Sequence, residues 1–137
     1  KFAPLRLSPP ALALMASEAA ISAPPSYLDG VKKEYEKRKG VTVTALENIQ
    51  GVEVCNPMGA FYCIAKLPVE SAEDFSKFLL TDFEDQGQTL MLAPAAGFYS
   101  SPELGKDQVR LAFVLESSKL QRAAEILEKA LTAYDNS

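Results

Sequence analysis

The sequence predicts an α+β domain: a small, mostly antiparallel sheet with helices packed on it, preceded by two further helices. Three observations carry this expectation. Short apolar runs with strand character recur at Val52–Val54, Ala60–Leu67, Thr89–Ala93 and Gln108–Leu115, separated by turns or by helical patterns. Ahead of Gly51 the apolar spacing is helical instead. The chain has 137 residues, 47% of them hydrophobic, enough for one domain with a real core, and 23% charged, too few for a disordered chain.

The elements follow in order. Pro9-Pro10 opens a first helix, with Ser8 as its N-cap and Ala11-Leu-Ala-Leu-Met-Ala16 as its first turns. The breaker Ser22-Ala-Pro-Pro-Ser26 ends it. A second helix starts near Pro25 or Ser26. Leu28, Val31, Tyr35, Leu46 and Ile49 keep one helical phase, so it is expected to run to about Asn48. Gly40 and Val41-Thr-Val-Thr44 disagree locally and by themselves read as a turn and a strand. The charge run from Lys32 to Lys39 reads as a solvated helix face.

Gly51 ends the second helix. Val52–Val54 reads as a short strand, Asn56-Pro57 as a turn, and Ala60–Leu67 as a mostly buried strand stopped by Pro68. Ser71 followed by Asp74 marks a helix start, and Phe75, Phe78, Leu79 and Phe83 supply the apolar stripe. Asp82, Glu84 and Asp85 are expected on that helix as solvated acids. Thr89–Ala93 reads as a buried strand, Pro94–Lys106 as a long loop, and Gln108–Leu115 as the last strand. The final helix carries Leu120, Ala123, Ala124, Leu127, Leu131 and Tyr134 on one face.

Composition excludes several kinds of chemistry. The net charge of −4 argues against a nucleic-acid partner, which needs clustered Lys and Arg. No apolar run is long enough to span a bilayer. The chain holds no His, which removes His bases, His triads and His metal sites together. Cys55 and Cys63 are too few for a Cys-only zinc site and read as two buried, reduced thiols of a cytoplasmic protein. No metal site is expected. Tyr62 and Tyr99 can donate hydrogen bonds but read as core or rim residues.

Arg110 stands out. Alternation along Gln108–Val114 points Val109, Leu111 and Phe113 to one face and Arg110, Ala112 and Val114 to the other. A guanidinium among apolar neighbours is costly unless water or a carboxylate meets it, and its planar fork suits a carboxylate. From the residues alone, a structural ion pair, a solvated rim position and a ligand site all stay open.

Asn56-Pro-Met-Gly-Ala-Phe-Tyr62, Met91-Leu-Ala-Pro-Ala-Ala-Gly-Phe98 and Val109-Arg-Leu-Ala-Phe113 stand in an order and at a spacing that resemble the C-terminal part of a fold-type I, pyridoxal-phosphate (PLP)-dependent aminotransferase of the aspartate aminotransferase class. Tyr35–Leu46 resembles the long helix between that family's two domains, and Leu5–Pro10 resembles the helix start that follows its cofactor lysine. The resemblance implies residues 1–25 as a remnant of a large-domain helix, 26–50 as an interdomain linker helix and 51–137 as the C-terminal small domain. It implies Arg110 as the residue that grips the substrate α-carboxylate, with Gly59 and Phe61 near the substrate's mouth.

The resemblance also implies transfer of an amino group between an amino acid and a 2-oxo acid, PLP in the intact enzyme, a missing large domain, a homodimer and a cytoplasmic location. The family's Pro-Gly-x-x-Phe-Gly stands here as Pro94-Ala-Ala-Gly97-Phe98-Tyr99. No cofactor lysine is present: Glu116-Ser-Ser-Lys119 superficially fits but opens the last helix and lacks a phosphate-binding run after it. The chain is therefore expected to hold no catalytic residue, to bind no PLP and to be inactive alone. Lys1 in place of Met fits a processed or excised chain. The alternative is a free-standing α+β module, compatible with a ferredoxin-like arrangement, that binds an amino acid or another carboxylate. A third reading, a secreted binding protein, rests on the signal-like start Lys1–Ala20.

Overall fold

The computed structural model describes residues 9–101 and 103–135. Four helices, α1 (Ala11–Ile21), α2 (Pro25–Glu47), α3 (Ala72–Thr81) and α4 (Ser117–Asp135), accompany four strands, β1 (Glu53–Val54), β2 (Tyr62–Lys66), β3 (Ala93–Pro94) and β4 (Gln108–Ala112). The chain divides into two compact units at Lys33/Glu34, inside α2.

In the first unit, α1 starts behind Pro10, which makes no side-chain cap, and Ser8 lies outside the described residues. The helix is mostly apolar, with Ser17 and Glu18 as its polar residues, yet has no buried residue; Leu12 is 81% and Ile21 85% exposed. The rest of this unit is the first part of α2.

The second unit holds the core. Helix continues through Gly40–Thr44, because Thr42, Val43 and Leu46 bury a common stripe. That burial outweighs the local strand preference of Val-Thr-Val-Thr. Gly51 then turns the chain at φ +80°, where a Cβ would lie 2.9 Å from the Pro68 Cβ, so only glycine fits.

The sheet order is β1-β2-β4-β3, with every neighbouring pair antiparallel. Thus β2 and β3 run parallel to each other with β4 between them, a split β-α-β arrangement through α3. The α+β expectation is met. One sheet face, with Cys63, Ala65, Val109 and Phe113, packs on Phe75 and Leu79 of α3 and Leu120 and Leu127 of α4. Burying each such large side chain stabilises the fold by about 1.5–3 kcal/mol. The Ser71 hydroxyl accepts from the Asp74 N–H at 3.1 Å, the expected cap of α3.

Four expectations are corrected. Ala60–Leu67 is not one buried strand. Ala60 sits at φ 62°, in the left-handed region, so β2 begins only at Tyr62 and then alternates between exposed and buried residues.

Thr89–Ala93 is not a strand along its length: only Ala93 and Pro94 pair, with Arg110 and Val109. Leu90 and Leu92 are half-buried and Met91 is 84% exposed, so the alternation is real. It identifies an extended, half-buried chain but not a backbone partner. The Thr89 hydroxyl donates to the Leu79 carbonyl at the end of α3 instead. Similarly, β4 stops at Ala112, short of Leu115.

The acidic trio lies beyond α3 rather than on it; Asp82 and Glu84 are exposed as expected, and Asp85 is not. Asp82 is the C-cap of α3, and Glu84 and Asp85 follow it. Asp85 is held by Arg122 at 2.6 Å and Lys129 at 2.9 Å, both on α4.

Candidate functional site

Arg110 occupies the middle of β4, with Ile64 opposite on β2 and Ala93 opposite on β3. Alternation turns it away from the Val109/Phe113 core face, and its side chain is exposed. Among the described residues no carboxylate pairs with it, whereas Arg38, Lys66, Lys106, Arg122 and Lys129 each do pair with one. What meets it is aromatic. Its guanidinium carbon lies 5.3 Å from the Tyr62 ring centre and 5.0 Å from that of Phe98. Register explains Tyr62: it pairs with Ala112, one step diagonal to Arg110 on the same face. Phe98 comes from a short 3-10 turn, Ala96–Phe98, immediately after β3. Rings at these distances attract a cation, each contributing on the order of 0.5–1 kcal/mol at an exposed position.

Phe61 joins the same cluster indirectly. Its ring stands edge-on to Tyr62 at 5.7 Å, and its carbonyl accepts from the Phe113 N–H at 2.9 Å. Gly59 lies in the exposed turn before β2, and a Cβ there would meet nothing within 4 Å. The structure thus links Phe61 to Arg110 through Tyr62, and Gly59 has no such link.

Sequence reasoning named Tyr62 and Phe98 without connecting either to Arg110. Alternation fixes which face a residue takes, but the Tyr62 contact needs the β2–β4 register and the Phe98 contact needs the 3-10 turn.

Tyr99 is neither core nor free. Its hydroxyl donates to Gln108 Oε1 at 2.6 Å. Its ring lies so close to Gly105, at φ +71°, that a Cβ there would come within 2.5 Å of it.

Beside the β4–β3 edge lies a cavity of about 500 Å³ in the second unit. Leu90, Leu92, Leu115, Leu120 and Leu127 line it, and Arg110 is also among its walls. The unpaired chain Thr89–Leu92 ahead of β3 forms part of its wall.

Lys119 sits in the first turn of α4, exposed, and the helix simply continues after it. Among the described residues no cluster of acidic or thiol side chains can hold a metal ion. None of the described helices is long and apolar enough to cross a membrane. Only one of the two thiols is buried as expected: Cys63 lies on the core face of β2, whereas Cys55 follows the end of β1 and is exposed. Burial pushes the Cys63 thiol up to about 11.

No family model matches the chain. An aspartate aminotransferase of Pyrococcus horikoshii is 31% identical over 106 residues, 76% of this chain and 25% of that protein. Its relatives are aminotransferases. Two solved structures share the fold. An alanine aminotransferase of Pyrococcus furiosus superposes with a TM-score of 0.80 at 24% identity, over 96% of this chain and 32% of its own. An α-aminoadipate aminotransferase of Thermus thermophilus, solved with N-(5'-phosphopyridoxyl)-L-leucine, gives 0.79 at 20% identity, over 96% and 33%. The chain therefore spans only a quarter to a third of the length of these aminotransferases.

Proposed function

We propose that this chain is the C-terminal part of a cytoplasmic, PLP-dependent aminotransferase of the aspartate aminotransferase class, and that Arg110 binds the substrate α-carboxylate. The observation that carries the reading is the state of Arg110. It is a guanidinium fork with no carboxylate of its own among the described residues, flanked by rings on an exposed sheet face, in a chain whose relatives are aminotransferases.

A fork that is charged and unpaired accepts a carboxylate through two parallel hydrogen bonds. Both ends of its strand are fixed in the sheet, so the bound carboxylate is fixed too. The amino acid's α-hydrogen is then oriented toward whatever base the rest of the protein supplies. Closure of this part over the substrate excludes water. The chain's own residues hold no PLP and move no proton, so the isolated chain is inactive. The large domain and a second subunit complete the site in a homodimer.

Two experiments test the reading. The first is the coding sequence upstream of Lys1. An in-frame Ser-x-Ser-Lys followed by Gly-x-Arg supports it; a start codon directly before Lys1 overturns it in favour of a free-standing carboxylate-binding module. The second is Arg110→Lys in the full-length enzyme. A point charge replaces the fork, and kcat/KM is expected to fall by about 10- to 100-fold with little change in stability. Unchanged kinetics would remove Arg110 from the site.

A further inference from the structure

We infer that Tyr99 is a positioning residue: locked against Gly105 and Gln108, it holds the 3-10 turn that carries Phe98 onto the guanidinium of Arg110. The inference deepens the proposed role of Arg110 and rests on it.

Locally, the turn Ala96–Phe98 is held by two backbone hydrogen bonds, from the Phe98 N–H to the Ala95 carbonyl at 2.9 Å and from the Tyr99 N–H to the Ala96 carbonyl at 3.2 Å. None of its residues is buried, and Phe98 is 60% exposed. A ring that free would swing away from Arg110 unless the backbone beneath it were fixed. Tyr99, the next residue, does the fixing through two contacts with the chain that enters β4. Its hydroxyl donates to Gln108 Oε1 at 2.6 Å, and Gln108 is the first residue of the strand that bears Arg110. Its ring fills the space over Gly105, leaving no room for a Cβ. On the other side of the turn, the Ala95 N–H donates to the Gln108 carbonyl at 2.8 Å. Gln108 thus clamps the turn before and after Phe98, by main chain and by side chain.

The consequence falls on Arg110. A mid-strand arginine that faces solvent samples many rotamers, and a bidentate grip needs one of them. Tyr62 reaches the guanidinium from β2, a regular strand, and needs no further support. Phe98 is the second ring and depends on the turn. Tyr99 therefore acts on carboxylate binding through Phe98 and then Arg110.

The test is a double-mutant cycle in the full-length enzyme. The substrate is whichever of L-alanine, L-aspartate, L-leucine and L-phenylalanine it turns over fastest. Tyr99→Phe removes only the hydroxyl contact. KM is expected to rise about three- to tenfold with kcat within a factor of two, the size of one hydrogen bond's worth of organisation. Phe98→Leu is expected to do the same, and Phe98→Tyr, which keeps the ring, to restore the wild-type KM.

In an Arg110→Lys background, Tyr99→Phe is expected to add nothing, because the fork it positions is gone. A merely structural role would lower thermal stability and give the same effect in both backgrounds. If Arg110→Lys lowers kcat/KM while Tyr99→Phe leaves KM unchanged, or if the two effects simply add, the positioning role is overturned and the carboxylate reading stands. If Arg110→Lys changes nothing, or none of the four amino acids is turned over, the carboxylate reading falls and the positioning role with it.

Discussion

Gly105→Ala puts a methyl group where the structure has no space for one. Gly105 sits at φ +71°, and the new Cβ would lie 2.5 and 2.6 Å from two carbons of the Tyr99 ring and 3.3 Å from the Ala95 carbonyl carbon. Carbon atoms rest at about 3.5–4.0 Å, so the ring must withdraw by roughly 1 Å. The ring can do so, because Tyr99 is 39% exposed and its outer side is open. Withdrawal breaks its hydrogen bond to Gln108.

The left-handed backbone costs an alanine about 1–2 kcal/mol. The lost hydrogen bond costs about 0.5–1.5 kcal/mol. The variant is therefore expected to be destabilised by about 2 kcal/mol. With a urea slope of roughly 1.5 kcal/mol per molar, the unfolding midpoint drops by about 1.3 M.

Urea titration followed by far-UV circular dichroism reads this directly. The same substitution in a Tyr99→Ala background separates the two contributions, because only the backbone cost of about 1–2 kcal/mol then remains. A loss below about 0.5 kcal/mol in the wild-type background, or an equal loss in both, would refute the packing argument.

Three further outcomes are expected. Ala60→Gly relieves a left-handed residue at φ 62° and should raise stability by about 0.5–1 kcal/mol in the same titration; a loss would mean that Ala60 is unstrained. Hydrogen bonds from Lys129, then Arg122, hold the Asp85 carboxyl below its ordinary value of 3.8. Its contribution to stability is thus fully present above that value and is lost as pH falls through the lower folded-state value. Asp85→Asn should flatten the acid limb of a thermal-stability profile and leave its slope near pH 8 untouched. Finally, a thiol reagent at pH 8 should label only Cys55 in the folded chain and Cys63 as well in urea, since burial raises the Cys63 thiol to about 11; rapid labelling of both in the folded chain would contradict that burial.

The order and type of the elements were legible because each long pattern had one consistent period. The stripe of α4 and the Ser71 cap were read from neighbouring residues alone. The helix through Gly40–Thr44 was legible only as a continued phase from Tyr35 to Leu46, against four residues that individually prefer strand. Thr89–Ala93 shows the limit of such reading. Its alternation reports burial on one side, whereas a strand is defined by a partner, and the partner is set by where β4 lies.

The partners of Asp85 are hidden from the sequence for a similar reason. Its cations, Arg122 and Lys129, come from a helix much later in the chain. At the candidate site, Arg110 was conspicuous as a lone cation in an apolar strand. Its surroundings were not, because Tyr62 reaches it through strand register and Phe98 through a turn that no periodicity marks.

The strand order has a consequence for synthesis. In β1-β2-β4-β3 one of the two inner strands, β4, is the one made last. Until Gln108–Ala112 has left the ribosome, β2 has only the two-residue β1 beside it and β3 has no partner at all. Pairing that waits for distant residues is slow, and an unpaired strand invites pairing with other chains. The nascent chain thus exposes an open edge from the time Lys66 emerges until β4 slots between its neighbours. Keeping that edge away from other growing chains is a task for the cell's folding machinery, and the finished sheet carries no trace of it.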